Sequence, residues 1–179
     1  MFSENEFRFE GRRLSVVSDG TVSLIYRPLP EEFREAGAAR WSWRVEESVP
    51  ATDLTQKGVD DRNLSIYFLF LTEAEVASLG EADVRDLLES EAVRLLLYVW
   101  GGGYERGAVL ESPYFEGRGK TIALRPSGVG EAAETVSLAE DFTRAFGEEK
   151  TVLVGVAVSA DSDDTDTSII GSIQDLVLE

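Results

Sequence analysis

Thr151-Val-Leu-Val-Gly-Val-Ala-Val158, Asp161-Ser-Asp-Asp-Thr-Asp166 and Ser168-Ile-Ile-Gly-Ser-Ile-Gln-Asp-Leu-Val-Leu178 read as strand, acidic loop, strand. The first run is β-branched and small apolar throughout, the composition of a strand covered on both faces. The loop carries four carboxylates in six residues. The closing strand should lie deep in a sheet, because an unpaired terminal strand frays. Asp161 and Asp163 are expected in a turn between two adjacent antiparallel strands. If Ser168 to Asp175 is extended at about 3.3 Å per residue, Asp175 lies more than about 20 Å from that loop. It should instead be a half-buried carboxylate held by an arginine or by backbone amides, since an unpaired buried carboxylate is costly.

Working outward, the rest of the chain repeats the strand signal. Glu6-Phe-Arg-Phe-Glu10 and Arg13-Leu-Ser-Val-Val-Ser18 precede a turn at Asp19-Gly20, and Thr21-Val-Ser-Leu-Ile-Tyr26 runs to Pro28 and Pro30. Ala39-Arg-Trp-Ser-Trp-Arg-Val-Glu46 puts Trp41, Trp43 and Val45 on one face, expected to be core. Leu64 to Phe70 reads as a strand buried on both sides, and Val93 to Trp100 and Gly119 to Arg125 as further strands. Thr72-Glu-Ala-Glu75 and Ser137-Leu-Ala-Glu140 are capping boxes that open short helices, with another helix over Asp83 to Ser90 after Gly80. The second box should turn Leu138, Phe142 and Ala145 or Phe146 inward and end at Gly147. Many short strands with no βαβ rhythm imply a mainly β chain. The expected fold is a single domain over residues 1–179, a two-sheet antiparallel jelly-roll-like sandwich with two or three short helical insertions.

Composition excludes whole classes of chemistry. A chain of 179 residues with no cysteine and no histidine has no thiolate, no imidazole base and no His-ligated or Cys-ligated metal. A formal charge of −17 argues against nucleic-acid and anionic-membrane partners. No apolar run reaches the eighteen or so residues of a membrane helix. The start, Met1-Phe-Ser-Glu-Asn-Glu, has no signal-peptide pattern, so the compartment stays open between retention and a trimmed leader. Three lysines against fourteen arginines on an acid-rich chain suit a halophile as well as an ordinary acidic protein. Self-repulsion of this size should be screened by salt, since the Debye length falls to about 3 Å near 1 M. Melting temperature should therefore rise from low to molar sodium chloride. A flat curve in scanning calorimetry would remove the self-repulsion argument.

Three constellations are candidates for chemistry. Asp161 and Asp163, with Asp164 and Asp166, offer hard oxygen ligands to calcium, although the EF-hand spacing is not met. Asp60, Asp61, Glu111 and Asp175 are carboxylates of the type that glycoside hydrolysis pairs as acid and nucleophile or base, with Arg44, Arg62 and Arg94 as ordinary partners. Tyr98 and Trp100 share one face of a strand and, joined by Tyr67 or Tyr104, would make a stacking platform for sugars. The opposing reading buries those rings as core. Gly101-Gly-Gly-Tyr-Glu-Arg-Gly107 lacks the helix and Lys-Ser or Lys-Thr of a phosphate cradle, so it reads as a loop.

Several fragments recur together in a known order: Trp41-Ser-Trp-Arg-Val45, Lys57-Gly-Val-Asp-Asp61, Tyr98-Val-Trp-Gly101, Glu111-Ser-Pro-Tyr114, Asp141 with Phe146-Gly147, and Asp161-Ser-Asp-Asp-Thr165 with Asp175. Over Ala39 to Leu178 the chain resembles the bacterial domain of unknown function 3047 family. The resemblance implies a jelly-roll-like sandwich similar to carbohydrate-binding modules, often in exported proteins. It departs at Glu131-Ala-Ala-Glu-Thr-Val-Ser137, where the family carries a tryptophan and an Arg-Asn pair, and at Asp164, where asparagine is common. The leading expectation is a non-catalytic module for carbohydrate or a similar polyhydroxylated ligand, bound through Tyr98, Trp100, Asp60, Asp61 and Glu111. The alternatives are a carboxylate-dependent glycan-cleaving enzyme and a structural or assembly domain.

Overall fold

The computed structural model describes residues 4–79 and 82–179. Gly80, read as the break between two helices, and the first three residues of the leader reading lie outside the described residues. In chain order the strands are β1 (Glu6–Glu10), β2 (Arg13–Asp19), β3 (Val22–Pro28), β4 (Ala38–Glu47), β5 (Arg62–Leu71) and β6 (Arg94–Trp100). They continue with β7 (Val109–Glu111), β8 (Gly119–Arg125), β9 (Gly130–Ser137), β10 (Val152–Asp161) and β11 (Ser168–Leu178). The helices are α1 (Glu73–Leu79), α2 (Val84–Glu89) and α3 (Leu138–Phe146), with one 3-10 turn at Glu31–Phe33. Among the described residues no helix is long and apolar enough to cross a membrane.

Two sheets face each other in a jelly-roll-like sandwich. The first has the order β1-β2-β11-β4-β9 and the second β3-β10-β5-β6-β8-β7. β11 is thus interior to its sheet, paired with β2 on one side and β4 on the other. Among the described residues every pairing is antiparallel except one: β6 and β8 run parallel, so the sandwich is mixed rather than wholly antiparallel. The exception follows from β7, which pairs antiparallel with β8 on its far side and occupies the edge. The connection from β6 therefore has to cross before β8 can enter.

Two of the connections that cross between the sheets lie side by side. Asp19-Gly20 links β2 in one sheet to β3 in the other, and Ser162 to Thr167 links β10 to β11 across the same gap. The acidic loop is therefore a strap between sheets, not the hairpin turn expected from its flanking strands. Buried hydroxyls hold both crossings together. Ser18 Oγ meets Ser162 Oγ at 2.7 Å, Thr21 Oγ1 donates to Asn5 Oδ1 at 2.6 Å, and Asn5 Nδ2 donates to the Ala160 carbonyl at 2.7 Å.

Between the sheets lies an aromatic core. Trp41 and Trp43 point inward from β4 as the alternation requires, with their rings edge-on at 5.4 Å. Phe68, Tyr98 and Trp100 meet them from the second sheet. β5 and β10 are buried on both faces, because α1, α2 and the long loops cover the outer face of the second sheet. α3 closes one end of the core through Phe142 against Phe70, with both Ala145 and Phe146 packed inward. Ser137 Oγ accepts from the Glu140 amide at 3.2 Å, and Gly147 ends the helix at φ 74°. At α1 the box is half made: the Glu75 carboxylate accepts the Thr72 amide, but the Glu75 amide bonds the Thr72 carbonyl.

Two strands escaped the pattern. β7 is three residues long, and β9 is Gly130-Glu-Ala-Ala-Glu-Thr-Val-Ser137, poor in strand formers. β9 forms by pairing along β4 from Ala38–Ser137 to Val45–Gly130. It delivers Glu134 into the interior, where the carboxylate accepts from Arg106 at 2.7 Å, Arg125 at 2.8 Å and Trp43 Nε1 at 3.2 Å. Asp175 sits in a bulge of β11 at φ 56° and pairs with Arg12 at 2.9 Å, the arginine partner that its position called for.

Candidate functional site

The entry to β5 and the exit from β10 are cross-strand neighbours, with Asp161 opposite Arg62. That register draws together residues a hundred positions apart. Arg62 is buried and spends its guanidinium on four groups. Nη1 donates to Asp60 Oδ2 at 2.8 Å and pairs with Asp161 Oδ2 at 3.1 Å, Nη2 donates to Tyr67 Oη at 3.1 Å, and Nε donates to Ser65 Oγ at 2.9 Å. Tyr114 completes Asp60 from the loop after β7, its hydroxyl donating to Oδ1 at 2.8 Å. Lys57 stands over the Tyr114 ring at 5.1 Å from its centre.

Asp60, Arg62, Asp161 and Tyr114 line a cleft of about 400 Å³ on the outer face of the second sheet. Leu54, Leu97 and Phe115 supply apolar lining, Thr121 and Tyr67 come from the sheet, and Asp163 and Asp164 form part of the acidic side. Tyr114 is the exposed aromatic of the group, at 43%. Gly101 explains the glycine run nearby. A Cβ there would stand 2.7 Å from Arg62 Cβ and 3.0 Å from its Cα, so a side chain would push into the strand that carries the arginine.

One positive charge serves two acids here, and Asp161 bears the consequence. Burial pushes its carboxyl up to about 8; Arg62 opposes the shift, while Asp163 and Asp61 add to it. A folded-state pKa above the unfolded value means that the native state holds the extra proton between them. Stability from this group is complete below about pH 4 and is lost as pH rises through about 8. No histidine titrates in that window. Urea unfolding should thus show stability falling from pH 5 to 8.5, and Asp161→Asn should flatten that slope. An unchanged slope in the variant would assign the proton elsewhere.

Of the residues singled out from sequence, Asp60, Asp61, Asp161 and Asp163 are brought to one place. They were read as two separate constellations. Tyr98 and Trp100 are not in it. They point from β6 into the core against Trp41 and Trp43, and Tyr98 Oη donates to Asp141 Oδ2 at 2.8 Å. The stacking platform expected on those two rings is corrected: both faces of β6 are covered, so neither ring reaches solvent. Glu111 lies on the edge strand β7, 61% exposed and paired with Lys120, beside the cleft wall rather than in the lining. Arg44 pairs with Glu46 and Glu131, and Arg94 donates to carbonyls, so among the three arginines only Arg62 serves the site. The sequence reading missed Tyr114 and Tyr67 as members of one cleft. Ser112-Pro-Tyr114 within a recurring fragment was the available signal for Tyr114.

A β-sandwich with an acidic, arginine-centred cleft on one outer face is the class of protein that these features define. The chain belongs to the DUF3047 family, described as a protein of unknown function, whose model matches residues 3–177. The recurring fragments divide between core (Trp41, Trp43, Tyr98) and cleft (Asp60, Tyr114, Asp161). The departure at Glu131 to Ser137 falls on β9, in the sheet that does not carry the cleft. No curated protein matches the chain. Among solved structures, the xyloglucanase domain of NopAA, a type three effector from Sinorhizobium fredii, in complex with cellobiose, is similar at 11% identity and a TM-score of 0.48. The likeness covers 98% of this chain and 86% of that one.

Proposed function

We propose that the chain is a non-catalytic binding module whose cleft takes carbohydrate or a similar polyhydroxylated ligand. The observation that carries this is the fixed Asp60–Arg62–Asp161 array opening beside an exposed Tyr114. Planar carboxyl and guanidinium groups match vicinal hydroxyls, and a tyrosine ring accepts the apolar face of a sugar. Arg62 Nη1 stands about 3 Å from a carboxylate oxygen of each acid, so the two acids grip the same cation. Glycoside hydrolysis needs its pair separated by about 5 to 9.5 Å with the scissile bond between them.

A glycan array with purified protein tests this reading. Bound glycans should be lost on competition with free oligosaccharide, and Tyr114→Ala should weaken binding roughly tenfold, about 1.4 kcal/mol. A second reading, a glycan-cleaving enzyme, draws on Asp161, whose carboxyl is held protonated near neutral pH as a general acid requires. Release of reducing ends from any array hit, abolished by Asp161→Asn, would select the enzyme.

A further inference from the structure

The acidic groups at the β5 entry and the β10 exit have more negative charge than Arg62 can answer. The nearest oxygens of Asp61, Asp163 and Asp164 all lie within 4.8 Å of one another. Asp61 is fully buried, whereas Asp163 and Asp164 are exposed. Among the described residues no ion pair reaches any of these three acids. Lys57, the nearest lysine in sequence, has its ammonium over the Tyr114 ring.

A second observation comes from the neighbouring acid. Asp161 has a side chain only 7% exposed, and its Oδ2 is paired with Arg62. Its Oδ1 is buried with no hydrogen-bond partner. The Asp161 and Asp163 carboxyls are within hydrogen-bonding reach of each other, so Asp161 borders the same cluster. A buried oxygen without a partner costs free energy, and native structures rarely leave one so. Here the group within its reach is another carboxylate, so only a shared proton or a cation can satisfy it.

We propose that Asp61, Asp161, Asp163 and Asp164 form a site for one hard divalent cation of the calcium class, where the strap between the sheets meets the start of β5. The donor set is all oxygen, which suits calcium or magnesium rather than zinc or copper. Calcium–oxygen distances of about 2.3 to 2.6 Å place ligands on opposite sides of the ion roughly 5 Å apart, and oxygens lying within 4.8 Å of one another can share such an ion. Magnesium demands near-ideal octahedral geometry and dehydrates reluctantly, which suits this carboxylate cluster less well. The scaffold is already set. Asp61 accepts the Asp164 amide at 3.2 Å and the Thr165 amide at 2.7 Å, and Asp164 Oδ2 accepts the Asp60 amide at 3.3 Å. Asp61 Oδ2 also accepts the Thr165 hydroxyl and is filled, whereas Asp61 Oδ1 and Asp164 Oδ2 accept one bond each and retain a lone pair for the ion. Asp60 takes no part, since its two oxygens are committed to Tyr114 and Arg62. The site stands whether or not the cleft takes a carbohydrate.

Calorimetric titration of the whole EDTA-stripped chain with calcium chloride alone, in 0.15 M sodium chloride, tests the proposal. Saturable binding of one ion with Kd below about 1 mM is expected. Asp163→Asn with Asp164→Asn keeps the side-chain shapes at two exposed positions and should weaken binding at least tenfold. Glu148→Gln with Glu149→Gln removes two exposed charges elsewhere and should leave binding unchanged. Melting curves of each variant without calcium confirm that it is folded, and calcium should raise the melting temperature of the parent and of the glutamate variant only. Unsaturable heats, or equal loss in both variants, would show diffuse attraction to an acidic surface and overturn the site. Tighter binding of magnesium than of calcium would overturn its assignment to calcium.

Discussion

Arg62→Met should destabilise the fold by about 3 to 5 kcal/mol in urea unfolding. Methionine fills much of the same space, so the loss is electrostatic rather than a cavity. It strands Asp60, 1% exposed, without its cation at neutral pH, strands Asp161 as well once pH passes about 8, and leaves Tyr67 and Ser65 short of a hydrogen-bond partner. Breaking one side of a buried pair costs far more than replacing the whole of it, because the uncompensated charge remains in a poor dielectric. Adding Asp60→Asn and Asp161→Asn to the same chain should therefore recover most of the loss. That non-additivity is the signature of a charge network. A single-variant loss below about 1 kcal/mol would mean that the two acids are neutralised without the arginine.

Trp43→Ala should cost a comparable amount, about 3 to 5 kcal/mol, for a different reason. The ring is 2% exposed and meets Trp41 edge-on at 5.4 Å and Trp100 at 5.5 Å, so its removal opens a cavity that β-sheet backbones on both sides cannot close. Its Nε1 also donates to Glu134, a carboxylate with no exposed surface. Trp43→Phe keeps much of the volume and loses only that donor. It should cost distinctly less, since Arg106 and Arg125 still satisfy the acid. A loss in Trp43→Ala below about 1 kcal/mol would place the ring outside the core.

Period-two alternation made β4 legible, because one of its faces meets solvent and Arg40, Arg44 and Glu46 mark that face. The same rule could not orient β6. Both its faces are covered, so the pattern shows that Tyr98 and Trp100 share a side without telling which side is the interior. β9 was invisible because its pairing with β4, not its composition, makes it a strand. The cleft was half legible. Each acidic fragment drew notice, yet Asp60 and Asp161 were assigned to separate sites, since nothing local announces that Asp161 falls opposite Arg62. Register is a long-range property, and in this chain it is what assembles the site.

The place of β11 has a consequence for how the protein can be made. Of the eleven strands described it is made last, yet it lies between β2 and β4. Until it arrives, the first sheet is two separate ribbons, β1-β2 and β4-β9, and two-stranded ribbons are marginal on their own. β2 and β4 then wait with unpaired edges, the surfaces on which strands of other chains add. Acquisition of the native sandwich must follow synthesis of β11, and its rate is set by closing long-range pairings rather than by local structure. The nascent chain passes through an interval in which its sticky edges are shielded only by its own charge and by holding chaperones.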